Sequence, residues 1–393
     1  MDHFDTALYG FLAPIFARVF FPNSDPAISL ILAYSVLASS IITRPLGSYI
    51  FGIMAMAYGP AISLSYSLIG VGISTLAIGL IPTYEDIGYY APLSLVIVRF
   101  FGGIFSSGEI TIARLYILAD KEKTIRVKIS YLYQTSVMIG IVLASFVSTL
   151  ILKSGNYWRI GFIIGGITAL FGYLLRVYNS EKLTINTKQL LSLYSSQTLK
   201  TLWNNKALLL TIAITSGFGY VTYSVPFIIM NNMVPEFTDL SVADLMPSNT
   251  MLLILDMFLL PITGCMLMKC NIKKTLYWAA MILAFTIIPI WSQIVGSSFA
   301  FIIFIKIWII IIGVVFSNII NIWYDDLITK DAEKYFLVGI GSAMGSAIIG
   351  KMAPTICFAL YYYSKSPFST SWFVAIVSIC TAIAVVVSSS AKM

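Results

Sequence analysis

Seven ionisable residues fall where the surrounding sequence is almost wholly apolar: Arg18, Arg44, Arg99, Glu109, Asp256, Lys306 and Lys351. In hydrocarbon an isolated charge costs several kcal/mol, so each must be paired, hydrated or put to use. Glu109 carries the most information. It sits in Phe105-Ser-Ser-Gly-Glu-Ile-Thr111, where small neighbours leave room for a carboxylate beside water and a polar ligand. The protonation state of such a group follows ligand and water access. A fixed ion pair with an arginine of a neighbouring helix is the alternative. Arg99 lies ten residues earlier on the same helix. That is roughly 15 Å along the axis, too far for the two to pair. Arg99 is therefore open to an anionic ligand or to an acid on another helix. Asp256, Lys306 and Lys351 fall at similar depths in their own apolar runs, which makes a buried ion pair among them the expectation. Asp2, His3, Asp5 and Tyr9 open the first run, and His3 reads as an interfacial residue.

The elements that hold these residues follow from the solvent they imply. The 393 residues are 59% hydrophobic and 10% charged, with a mean hydropathy of +0.90, well outside the range of soluble domains. A membrane-crossing helix needs roughly 20 apolar residues. Runs bounded by Pro, Gly, Asn or charge predict an all-α polytopic membrane protein of about twelve spans, at 4–22, 27–54, 61–82, 91–118, 131–152, 159–178, 207–232, 248–268, 275–295, 299–323, 335–362 and 368–389. The first run begins at Phe4 with no basic segment before it and reads as a retained span. From Pro45 to Tyr84 no residue is charged, so the second and third spans form a hairpin turning at Tyr58, Gly59 and Pro60.

The longest polar stretch lies near the midpoint. It divides the chain into a six-helix bundle over 1–179, a cytoplasmic linker over 180–206 and a second six-helix bundle over 207–393, with a ligand site expected between the bundles. Fifteen Lys and Arg fall in the tail and loops on the N-terminal side, against Lys153, Arg159 and Lys365 on the other. The positive-inside rule then puts both termini in the cytoplasm, and the net charge of +7 reflects orientation rather than nucleic-acid binding. Cys265, Cys270, Cys357 and Cys380 lack metal or redox spacing and read as packing residues. Gly341-Ser-Ala-Met-Gly345 suits close helix contact, not a phosphate loop, since no strand precedes it. With no metal cluster, nucleotide loop or hydrolytic triad in the pattern, neither an enzyme nor a cofactor or metal is expected.

Several motifs are more specific. His3-Phe4-Asp5 with Tyr9-Gly10-Phe11, Val19-Phe20-Phe21-Pro22 with Asp25-Pro26, Arg44-Pro45-Leu46-Gly47 with Phe51-Gly52, Ser107-Gly108-Glu109 and Trp158-Arg159-Ile160 occur in order through the first half. In these the sequence resembles the major facilitator superfamily, and within it the metabolite:proton symporter family of proline/betaine, 2-oxoglutarate, shikimate and citrate carriers, most of all its proline/betaine branch. In the second half Ala353-Pro354 is the clearest local echo. The resemblance implies two six-helix bundles that alternate access. It also implies Asp5, Tyr9, Arg99 and Glu109 on cavity-lining helices, where they take part in coupling and solute binding, and Arg44 and Gly52 at the inner gate. The sequence departs from the family in the loop after the second span, where Met56 replaces an acidic and Pro60 a basic residue of the gate clasp.

The resulting expectation is proton-coupled symport of a small polar osmolyte across the plasma membrane by a protein functional as a monomer. A dicarboxylate solute of the 2-oxoglutarate kind, or a member that binds solute without transporting it, are the alternatives.

Overall fold

The computed structural model describes residues 2–23, 25–58, 60–118, 123–154, 157–178, 202–267, 270–328 and 331–388. These fold almost entirely into helices, with no strand among the described residues. Ten helical stretches are long and apolar enough to cross a membrane. Two further rods complete the bundle, Asp2–Phe11 continued by Ala13–Phe20, and Trp158–Tyr178.

In chain order the first helix is Asp2–Phe11 and its continuation Ala13–Phe20; the second runs through Pro26–Ser35 and Ser40–Tyr58, joined by a 3₁₀ turn. The third is Pro60–Leu80, the fourth Tyr90–Leu118, the fifth Lys123–Ser154 and the sixth Trp158–Tyr178. The seventh begins as Lys206–Ser224 and ends as Met230–Met233, the eighth is Val242–Leu267, the ninth Ile272–Trp291 and the tenth Phe299–Leu327. The eleventh comprises Asp331–Gly345 and Ala353–Ser364, and the twelfth is Ser369–Val387.

The predicted spans recur with local differences that have physical causes. The first is broken at Leu12 because Pro14, near the start of Ala13–Phe20, cannot donate back to the preceding turn. The fifth begins at Lys123, eight residues before the predicted start, because the basic and polar residues before Tyr131 prolong the helix beyond its apolar run. The tip of the predicted hairpin, Gly59, and most of the 180–206 linker lie outside the described residues.

Helix starts follow local chemistry. The Asp25 carboxylate accepts from the Ala27 amide at 2.9 Å, with Pro26 opening the second helix. The side chains of Asn271 and Ser298 accept from Lys274 and Phe301 at the starts of the ninth and tenth helices. Before the fourth helix, Thr83 and Asp86 form a capping box over the turn Tyr84–Ile87. The Thr83 hydroxyl and amide hold the exposed Asp86 carboxyl below its ordinary pKa.

Small residues let the helices approach closely, as expected where the solvent is itself apolar. A Cβ on Gly47 would lie 2.1 Å from the Ser107 hydroxyl and 2.2 Å from the Ile104 carbonyl, so the second and fourth helices are nearly in backbone contact. A Cβ on Gly345 would fall 1.9 Å from the Ala213 carbonyl, which brings the eleventh against the seventh equally closely. The sequence reading of Gly341–Gly345 as a helix-contact motif therefore matches the packing. The first six and last six helices meet along the second against the eleventh and the fifth against the eighth. Both the seventh and the eleventh widen into π turns, at Val225–Ile229 and Ser346–Lys351. Such turns frequently mark functional sites.

Candidate functional site

A cavity of about 260 Å³ lies between the two sets of six helices. Its polar lining includes Arg44 of the second helix, Gln134 of the fifth, Tyr220 and Tyr223 of the seventh, Asp256 of the eighth and Tyr324 of the tenth. Arg44, Asp256 and Tyr324 lie past the midpoints of their helices and Gln134 before the midpoint of its own. The cavity is thus displaced toward the bundle end where the fourth joins the fifth, the eighth the ninth and the tenth the eleventh.

The opposite end is closed across the two halves. Tyr34 stacks on Phe358 with ring centroids 5.6 Å apart. Its hydroxyl donates to the Gly10 carbonyl at 3.2 Å and accepts from the Asn232 amide at 2.8 Å. Farther out, the Tyr362 hydroxyl of the eleventh helix donates to Asp25 at the head of the second, holding that carboxyl below its ordinary pKa.

Between the cavity and this closure lies an ion pair. Arg99 Nη1 donates to Asp5 Oδ2 at 2.6 Å, with the two side chains 9% and 12% exposed. The guanidinium also stands 4.2 Å from the centre of the Tyr9 ring, a cation–π contact. Tyr9 is fixed in turn by a 2.7 Å hydrogen bond to the Ala33 carbonyl. Asp5 Oδ1 and Arg99 Nε and Nη2 are buried with no hydrogen-bond partner among the described residues. A second void of about 20 Å³ adjoins them and is bounded also by Lys351; it has room for about one water molecule. Lys351 Nζ lies 3.4 Å from the Thr6 hydroxyl and so ties the eleventh helix to the first.

The residues singled out from sequence are therefore distributed unevenly. Asp5, Tyr9 and Arg99 form one cluster, and Arg99 is engaged by an acid of another helix. The side chain of Glu109 lies outside the described residues. Arg44 Nη1 donates to the Ser346 hydroxyl at 3.1 Å, bridging the second and eleventh helices. Gly52 faces open space, with nothing among the described residues within 4 Å of the place a Cβ would take.

Two expectations are corrected. No ion pair joins Asp256 to Lys306 or Lys351 among the described residues, because equal depth does not fix the direction in which a helix presents its side chains. Lys306, fully buried, donates to the Asn231 side-chain oxygen of the seventh helix. Asp256 lines the cavity, with no ion pair to Lys306 among the described residues. Arg18, expected to be buried, is exposed in the last turn of the first helix, with Nε 3.4 Å from the Pro14 carbonyl. There its long stem lets the charge reach the interface.

Tyr34 and Asn232 at the closed end, Asn231 beside Lys306 and the Tyr220–Tyr223 pair on the cavity wall are polar features that a search for charges passes over. The adjacent asparagines, polar groups inside the apolar run from Val225 to Val234, were the available signal.

The sequence profile of the Major Facilitator Superfamily matches residues 1–350. The chain belongs to the major facilitator superfamily. Within this superfamily it is 32% identical over 183 residues to the proline/betaine transporter of Escherichia coli (strain K12), a match covering 45% of this chain and 37% of that relative. It is 33% identical over 183 residues to the glycine betaine/proline/ectoine/pipecolic acid transporter OusA of Dickeya dadantii (strain 3937), covering 45% of this chain and 36% of that one. The matched segment thus spans little more than a third of these relatives' own length.

Among solved structures, a D-xylose-proton symporter superposes with a TM-score of 0.73 at 17% identity, over 97% of this chain and 93% of the other. The human organic anion transporter MFSD10 superposes with a TM-score of 0.65 at 10% identity, over 98% and 96%. At these identities the likeness concerns the fold. The protein is an integral membrane protein of the major facilitator fold.

Proposed function

We propose that this superfamily member is a proton-coupled symporter of a small zwitterionic solute of the proline/betaine class, working by alternating access. The observation that carries the reading is the Asp5–Arg99 pair, sealed between the cavity and the closed end. A carboxylate that must choose between a proton and an arginine couples protonation to helix position. When Asp5 takes a proton, its hold on Arg99 weakens and the first and fourth helices are released from each other. In this proposal Asp5 takes the coupling role the sequence reading gave to Glu109, and Tyr9 keeps Arg99 in place through either state. Arg44 acts at the gate by joining the second helix to Ser346.

The solute class is supported by the proline/betaine transporters that the chain resembles and by a cavity carrying both Arg44 and Asp256. The domain division 1–179, 180–206 and 207–393 goes with this reading, each half moving as a body about the cavity. So does a monomer in the plasma membrane with both termini in the cytoplasm. On that orientation the cavity faces the cytoplasm, and Tyr34, Phe358 and Asn232 form the closed outer gate.

The test is uptake of radiolabelled proline, betaine and 2-oxoglutarate into proteoliposomes with and without an inward proton gradient. Accumulation of proline or betaine that the gradient stimulates is the expected result. In Asp5→Asn the gradient should no longer drive accumulation while solute exchange persists; Glu109→Gln should retain the gradient's effect. Gradient-driven uptake that survives Asp5→Asn, or uptake of 2-oxoglutarate alone, would refute the respective part of the proposal.

A further inference from the structure

Asp256 stands apart from the other buried charges. Arg99 has Asp5, Lys306 has Asn231 and Arg44 has Ser346. Asp256 is 9% exposed and has neither an ion-pair nor a hydrogen-bond partner among the described residues, and its carboxylate lies on the cavity wall. A carboxylate so placed calls for a cation.

Its neighbours narrow the kind of cation. Tyr223, close enough to Asp256 for the two to interact electrostatically, lines the same cavity, and its hydroxyl is buried with no hydrogen-bond partner among the described residues. Tyr220 stands one turn earlier, its ring 5.9 Å from that of Tyr223 at an interplanar angle of 76°, and Phe227 follows with its ring 5.4 Å from Tyr223. An aromatic wall beside a lone carboxylate suits an alkylated ammonium ion, whose charge is diffuse and weakly hydrated. A small metal ion would instead demand several oxygen ligands.

We propose that Asp256, with Tyr220 and Tyr223, forms an ammonium-binding subsite that fixes the orientation of a zwitterionic solute. The cationic end lies against the seventh and eighth helices, and the carboxylate end lies toward Arg44 of the first half. The solute then bridges the two halves, and an isostere that keeps the carboxylate but has a neutral carbon in place of the ammonium loses the contact with the second half only. The inference rests on the proposed solute class for the zwitterion's orientation, whereas the subsite itself makes a claim about ammonium ligands of any origin.

The experiment is equilibrium binding to the purified full chain in nanodiscs with three probes. These are glycine betaine, choline, which has the ammonium but no carboxylate, and 3,3-dimethylbutyrate, which replaces the ammonium of betaine with a neutral carbon. The wild type should bind betaine and choline. Asp256→Asn should weaken both by about 30-fold or more while leaving any 3,3-dimethylbutyrate binding and the thermal midpoint unchanged. Tyr223→Leu should give a smaller loss confined to the same two ligands, Tyr223→Phe little, and Asp256→Glu, which keeps the charge, a partial rescue.

Equal losses for all three probes, undiminished betaine and choline affinity in Asp256→Asn, or a wild type that binds neither ammonium ligand would each overturn the subsite. Choline binding that depends on Asp256 in a protein that neither binds nor accumulates betaine would sustain the subsite and sink the zwitterion reading. Gradient-driven betaine uptake alongside unchanged binding in Asp256→Asn would do the reverse.

Discussion

Replacing Asp5 by Asn removes one charge from a site that holds two and leaves Arg99 buried with the wrong partner. The Arg99 guanidinium is nearly enclosed and already has Nε and Nη2 without hydrogen bonds among the described residues, and Lys351 borders the same small void. The Tyr9 ring at 4.2 Å is the principal attraction left to it. Breaking a buried pair from one side costs about 3–5 kcal/mol. With an unfolding entropy of about 2.1 cal/mol/K per residue over 393 residues, each kcal/mol moves the midpoint by about 1.2 °C. The expected fall is therefore about 4–6 °C. Arg99→Met should cost less, because a stranded carboxyl can shed its charge by binding a proton and a guanidinium cannot. The double variant, with no charge to strand, should be more stable than Asp5→Asn alone, giving a coupling of about 2–3 kcal/mol in the cycle. Thermal unfolding of the four proteins in one detergent, followed by tryptophan fluorescence, measures this. An Asp5→Asn protein as stable as the wild type, or strictly additive losses, would refute the view that the pair is held by mutual neutralisation.

Gly345→Ala should destabilise by about 1–3 kcal/mol or more through overpacking, since its Cβ would press on the Ala213 carbonyl, a backbone atom that cannot step aside. Gly52→Ala, facing open space, should gain about 0.5–1 kcal/mol from helix propensity; if transport falls while its midpoint rises, Gly52 is needed in the other conformation, as its assignment to the gate requires. Tyr34→Phe removes the hydroxyl shared with Gly10 and Asn232 and should cost about 1–2 kcal/mol, with faster labelling of cysteines introduced beneath the closed end. Lys306→Met, which takes a buried charge away from an uncharged amide partner, should be neutral or stabilising. By contrast, Asn231→Leu, which strands the lysine, should lower the midpoint by several degrees.

The contrast between what the sequence made legible and what it did not follows from the kinds of information that survive in one dimension. The spans are legible because hydrocarbon imposes the same demand on every residue of a helix, so hydropathy summed along Phe299–Leu327 or Ser369–Val387 is decisive without knowledge of any partner. Arg99 was legible as a candidate because a charge deep in such a run is itself an anomaly, and Asp5 and Tyr9 because they stand in motifs that resemble a known family. Their pairing was not, since Asp5 and Arg99 stand 94 residues apart and depth alone gives no azimuth. The same ambiguity explains the mistaken grouping of Asp256 with Lys306: both lie at comparable depth, yet one turns to the cavity and the other to Asn231. Neutral polar groups such as Tyr34 and Asn232 cost less to place in an apolar run than a charge does, so they leave a weaker trace, and here they form the contacts that close one end. In this chain the charged residues marked where binding and coupling are to be sought, while the closed end, the gate of the proposed cycle, is built largely from hydroxyls, amides and aromatic faces. Such groups can be exchanged between partners at small cost, a property an alternating gate requires and a buried ion pair lacks.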